Sequence, residues 1–258
     1  VACSYATESD QKSKTPGKRI LISGGFLYCG DINNTVTPDA WVLVEDDRIV
    51  ALGSMEQALP EHEHRIDARG KLILPGFINP HWHESFVAPN FERPDDSCMP
   101  PSPYAQGGNI TALSSMFGFI AGVGDQLTAD EALAIARWSL WTQLRSGTTC
   151  LGDVGSANKP DALAQAAIDL GMRLRVSRWG SDIMIPADGS EYVTVASAQD
   201  QYEDWLSIIE KWEGHRSGLV GAMPSVMGAF GSSDRQLQFL ADIKQNHPEV
   251  PYATHLAP

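Results

Sequence analysis

From residue 73 onward the chain alternates between short apolar runs and stretches of helical periodicity, and this alternation limits the fold more than any other feature. Strands joined by covering helices run parallel, so the pattern calls for an α/β sheet or barrel. LILPGFIN is the first apolar run, followed by a connection rich in Pro and Gly at residues 89–109 and then by LTADEALAIARWSLWTQLRSG. There Thr128 is placed as an N-cap with Glu131 three residues on, the spacing of a capping box. Ala132, Ile135, Ala136, Ser139, Leu140 and Leu144 give one helical face, and Gly147 ends it. TTCLGDV is the next strand and KPDALAQAAIDLG the next helix, with Pro160 near its start and Gly171 at its end. The series continues with MRLRVSR, SAQDQYEDWLSIIEKWEG, GLVGAMPS, SSDRQLQFLADIKQN behind a serine cap, and PYATHLAP.

Residues 73–258 thus hold five expected strands, whereas a complete eight-unit barrel takes roughly 250 residues. The expectation is a TIM-like (β/α)8 barrel of which only about the first five strands are present. An open arc leaves an unpaired strand edge, so the remaining C-terminal part of the barrel is an expected partner and the chain alone is not expected to be stable and active. Residues 19–72 read as a separate β unit, with RILISGG followed by WVLVEDDRIVALG, a hairpin signal around Asp46-Asp47.

The ends and the composition narrow the function. Residues 1–18 form a polar tail without periodicity, expected to be disordered. VACS resembles the end of a bacterial lipoprotein signal with Cys3 as the lipidated residue; a floppy terminus on a cytoplasmic protein is the alternative. A net charge of -13 argues against sequence-independent nucleic-acid binding, and no apolar run is long enough for a transmembrane segment. Phosphate-cradling glycine loops and a serine-hydrolase elbow are both missing from the sequence. Cys3, Cys29, Cys98 and Cys150 are scattered without a CxxC pair, which disfavours a thiolate zinc site.

The histidines carry the chemistry. LPGFINPHWHESF places His81 and His83 two apart at the end of the first apolar run. On a strand, residues two apart share a face, so both rings can point into a barrel mouth and share a divalent cation. His255, near the end of the fifth run, can reach the same mouth. Histidine nitrogen suits zinc, iron, nickel or copper. Trp82 faces the other way on a regular strand, where packing against a helix competes with substrate contact. Glu84, next to the pair, would also point away. His62 and His64 lie in the polar connection LPEHEHRID, and His215 and His247 follow helices, so surface roles suffice for all four.

IDARGKLILPGFINPHWHESF, LTADEALAIARWSLWTQLRSGTTCLGDVG and YATHLAP resemble, in order, segments of the amidohydrolase superfamily, in its cytosine-deaminase and triazine-hydrolase branch. The resemblance covers residues 19–258 and implies a metal-dependent (β/α)8 barrel beside a small β-sandwich, of which residues 19–72 are the N-terminal part. It implies His81, His83 and His255 as metal ligands. It also implies one divalent metal ion, zinc first, with iron, nickel or manganese as alternatives. Some branches bridge two metals through a lysine on strand four, and GLVGAMPS has none. The branch usually has a glutamate three residues after the strand-five histidine as proton shuttle; here that position is Pro258. Ser225 lies near a position that commonly contacts substrate.

The implied chemistry is hydrolysis of a small-molecule substrate by a water whose pKa a bound cation lowers from about 15.7 toward 7. The expected targets are non-peptide C–N bonds in a cyclic amidine, amide or heteroaromatic ring. A carboxylate must move the proton. Asp153, in CLGDVG, can reach the mouth and is the candidate, with support behind the ligands or helix capping as the competing role. An amidase or peptidase of the same fold acting on acyclic substrates, and a catalytically silent metal-binding fragment, are the alternatives. Homo-oligomerisation stays open.

Overall fold

The computed structural model describes residues 18–84, 124–184, 191–228 and 230–255. The expected disordered tail up to residue 17, Cys3, the connection at 89–109, and Leu256 to Pro258 lie outside the described residues. The chain divides into two compact units between Pro75 and Gly76.

The first unit is one mixed sheet. β1 (Arg19–Tyr28) pairs antiparallel with β2 (Val36–Glu45), and β2 with β3 (Arg48–Ser54). The β2–β3 connection is the two-residue turn Asp46-Asp47, with Asp46 at φ 52. Positive φ at the first turn position matches the right-handed twist of a hairpin. On its other side β1 pairs parallel with β4 (His64–Asp67) and β5 (Leu72–Ile73). Alternation on β2 divides Trp41 and Leu43 from Ala40 and Val42; Leu21 joins the first pair, and Leu27, beyond the register shifts of β1 between Ser23 and Leu27, joins the second.

The second unit is the strand–helix alternation. Among the described residues five strand positions follow each other in chain order, all parallel. β6 (Phe77–Trp82) is the first and β7 (Thr148–Asp153) the second. The third position holds β8 (Arg173–Val176) and β9 (Trp179–Gly180). A short antiparallel pair, β10 (Ile183–Met184) and β11 (Val193–Thr194), lies in the connection that follows. The fourth position holds β12 (Val220–Ala222) and β13 (Ser225–Val226), and β14 (Ala253–Thr254) is the fifth.

Positions three and four bend together, which splits the arc into two sheets, β12-β8-β7-β6 and β14-β13-β9. Val176 pairs with Ala222 before the bend and Trp179 with Ser225 after it, three residues later on both strands. Equal steps restore the register. Pro224 has no N–H to give the ladder, but its carbonyl accepts from Ala253 N–H at 3.0 Å. The indole of Trp205, 1% exposed, donates to the Arg178 carbonyl at 2.9 Å and so satisfies the other bend. This is mixed α/β architecture with several sheets; among the described residues the arc does not close, so the expected full barrel reduces to that statement.

Among the described residues four long helices cover the strands, and three of them start at the signal read in the sequence; the Ser197 cap of the third was not read there. α1 (Ala129–Arg145) has the Thr128–Glu131 capping box. α2 (Pro160–Leu170) starts on proline and stops at Gly171, φ 68. α3 (Ala198–Trp212) and α4 (Asp234–Asn246) are capped by the Ser197 and Ser233 hydroxyls. The core between layers is built by Ala136, Leu140, Leu163 and Ile208 against Leu151, Leu174 and Val220. Truncating a core residue of this kind to alanine costs about 2–5 kcal/mol. Among the described residues no helix is long and apolar enough to cross a membrane.

Candidate metal centre

The alternation of β6 is broken just before the histidines. Asn79 pairs with Leu151 and Trp82 with Asp153, so three steps on β6 oppose two on β7. The extra residue is a bulge at Pro80-His81, where proline removes a ladder donor. The strand ends at Trp82, and His83 begins the loop beyond it. His255 stands just past β14, at the same carboxyl end of the arc.

These placements bring the three rings together. The Nε2 atoms of His81, His83 and His255 are 3.1 Å apart in all three pairs. Three neutral imidazoles cannot satisfy such a triangle by hydrogen bonds, because each Nε2 proton can point at only one neighbour. The centre of the triangle is about 1.8 Å from each nitrogen, close to the roughly 2.0–2.1 Å of a zinc–nitrogen bond. His255 Nδ1 lies 3.0 Å from the Met227 carbonyl. A carbonyl only accepts, so Nδ1 holds the proton and Nε2 presents a lone pair to the centre. Burial and the nearby His255 charge lower the His81 pKa. Burial, then His255 and His81, lower that of His83 to about 4. Both rings are therefore neutral, as ligands must be, near pH 7. The donor set fits one divalent cation.

The other candidates are placed around this centre. Trp82 packs its side chain against the strand–helix core. Ser225, 1% exposed, donates to the Val154 carbonyl and lies 3.0 Å from the Ser177 hydroxyl. Asp153 is fully buried, and its two oxygens accept from Glu84 N–H at 3.3 Å and Gly155 N–H at 3.0 Å. Burial, and after it the Glu84 charge, push the Asp153 carboxyl well above the usual carboxylate range. Glu84, read as pointing away on a regular strand, instead lies beyond the strand end and is buried. The fold also supplies a neighbour that sequence reasoning missed. The Trp179 ring lies 5.1 Å from that of His83 and 5.7 Å from that of His255, forming a wall of the centre. Its one signal was position: it directly follows the third expected strand, MRLRVSR.

No family model matches the chain. Among curated proteins, 165 residues are 28% identical to the imidazolonepropionase of Paenarthrobacter aurescens, covering 61% of this chain and 38% of that protein. A stretch of 148 residues is 30% identical to the 5-methylthioadenosine/S-adenosylhomocysteine deaminase of Bacillus cereus, covering 56% and 31%. A third stretch of 77 residues is 38% identical to the imidazolonepropionase of Streptomyces coelicolor, covering 30% and 19%. The chain therefore spans well under half the length of these relatives. Among solved structures, the atrazine chlorohydrolase of Arthrobacter aurescens in complex with zinc superposes with a TM-score of 0.69 at 23% identity, over 92% of this chain and 53% of that one. The guanine deaminase of E. coli superposes with a TM-score of 0.64 at 20% identity, over 93% and 53%. The structural likeness is one of fold, and the sequence matches make the chain similar, over part of their length, to proteins of the amidohydrolase superfamily.

Proposed function

We propose that this chain carries the metal-binding part of a hydrolase acting on non-peptide C–N bonds in a cyclic amidine, amide or heteroaromatic substrate. The observation that carries the reading is the convergence of three imidazole Nε2 atoms at 3.1 Å. The names of the relatives, two of them deaminases, and the zinc in one solved structure support it. In this reading the five-strand arc is part of a (β/α)8 barrel, and His81, His83 and His255 hold one divalent cation, zinc first. The cation supplies Lewis acidity and a water of lowered pKa. The Met227 carbonyl keeps the His255 proton on Nδ1, so the ring stays oriented toward the centre. Trp179 covers the faces of His83 and His255 and keeps bulk water from that side.

The test is zinc content of the chain and, for the chain joined to the rest of its barrel, turnover of a panel of nitrogen heterocycles and acyclic amides, with and without chelator. The expected result is one ion per chain and turnover of ring substrates that chelation abolishes. Turnover indifferent to chelator, or a chain that binds no zinc, refutes the proposal.

A further inference from the structure

His83 directly follows the last residue of β6. The loop after β7 bonds the main chain on both sides of it. Val154 N–H donates to the Trp82 carbonyl at 3.0 Å, on the N-terminal side of His83. On its C-terminal side, Glu84 N–H donates to Asp153 Oδ1 at 3.3 Å, and the Ser156 hydroxyl donates to the Glu84 carbonyl at 3.0 Å. The peptide groups on both sides of the ligand are thereby pinned by one four-residue stretch.

That stretch is itself fixed. Asp153 Oδ2 accepts from Gly155 N–H at 3.0 Å, closing the turn on its own carboxyl group. Gly155 has φ 83, and a Cβ there would lie 2.6 Å from the Ser177 carbonyl carbon and oxygen. The turn is wedged against the bend of position three. The Gly155 carbonyl also accepts from Trp179 N–H at 3.2 Å, so the same turn sets the aromatic wall. Asp153, Ser156 and Glu84 are at most 4% exposed, and hydrogen bonds in such surroundings are costly to leave unmade.

We infer that Asp153 and Ser156 are positioning residues for the metal centre, holding the His83 ring in the triangle by clamping the main chain beside it. This rests on the metal reading above. It differs from a proton-carrying role for Asp153, because the carboxyl acts on main-chain N–H groups and through them on the ligand.

The test compares D153A, S156A and D153N with a general destabiliser, L240A, in the helical core. Zinc affinity is measured by competition with a chromophoric chelator. The visible spectrum of the Co2+-loaded chain reports ligand geometry. D153A and S156A are expected to lose about 10–100-fold in zinc affinity, as loss of groups behind metal ligands does, and to shift the Co2+ spectrum. D153N keeps one side-chain oxygen to accept from Glu84 N–H and is expected to restore most of the affinity and the parent spectrum. L240A lowers the melting temperature and leaves both readouts in place. If the parent binds metal and D153A and S156A bind it as tightly with an unchanged spectrum, the clamp is overturned and the metal reading stands. Should L240A weaken zinc binding as much as S156A, the loss is generic and the clamp is likewise overturned. A parent chain that binds neither ion overturns the metal reading and the clamp together.

Discussion

An alanine at Gly228 strikes the turn that holds His255. Gly228 is buried with φ 125, a conformation closed to other residues. Strain of this kind costs about 1–3 kcal/mol. The new Cβ would also lie 2.5 Å from the His255 carbonyl oxygen and 2.9 Å from the Phe230 ring. The oxygen belongs to main chain, so relief requires moving the end of β14 or the turn itself. Overpacking adds about 1–3 kcal/mol. The total, about 2–6 kcal/mol, is a large share of the roughly 5–15 kcal/mol that holds a domain folded. Either movement parts Met227 from His255 and frees the ring from its 3.0 Å hydrogen bond. Loss of such a partner costs about 10–100-fold in metal affinity. The assay is thermal melting with and without zinc, together with chelator competition. The expected result is a lower melting temperature, weaker zinc binding, and a smaller zinc-induced rise in melting temperature. A variant that melts lower yet binds zinc as tightly as the parent would show that the turn does not orient His255. A variant that melts unchanged would refute the steric reasoning altogether.

Two further outcomes follow from the same geometry. His81→Ala removes one of three nitrogens, and the chain is expected to lose most of its bound zinc, and the chain joined to the rest of its barrel most of its turnover; full metal stoichiometry in the variant, by elemental analysis, would remove His81 from the ligand set. Asp153 has its folded pKa raised by burial beside Glu84, so its folded state holds a proton that the unfolded state has released above about pH 4. The parent therefore loses stability relative to Asp153→Asn as pH rises from about 4 through the raised folded value. Urea melts of the metal-free proteins across that range are expected to show the difference moving steadily in favour of the variant; a pH-independent difference would contradict the burial of a neutral carboxyl.

Much of the second unit was legible because its signals are local. Thr128 with Glu131, Ser233, and Pro160 with Gly171 mark helix ends by hydrogen-bonding chemistry that needs no tertiary partner. The pairing of His81 and His83 was legible as spacing, although the structure reaches it differently. A regular strand was expected to align the two rings, and instead a bulge at Pro80-His81 and the exit of His83 from the strand bring them together. LILPGFIN read as one strand candidate on its apolar residues; Pro75-Gly76 divides it, with Leu72–Ile73 in the first unit's sheet and Phe77–Trp82 in the second's. MRLRVSR gave no sign that the chain bends at Ser177-Arg178 and resumes pairing at Trp179, because that bend is satisfied by Trp205 from a helix some 25 residues away. Trp179 and the Met227 carbonyl were invisible for the same reason: each is defined by what the curvature of the arc brings beside it.

The paired bends of positions three and four also couple the lengths of two distant segments. Each strand advances three residues from the last pair before its bend, Val176–Ala222, to the first after it, Trp179–Ser225. Deleting one residue at Ser177-Arg178 would slip Trp179 and Gly180 by one against β13 and exchange the faces they present. The wall of the metal centre would turn away from it. A second deletion, at Met223-Pro224, would bring the pairing back. Neither connector can change length alone without exchanging the faces presented to the site, so a one-residue deletion at either place is expected to be rescued only by its match at the other, more than 40 positions away in the chain.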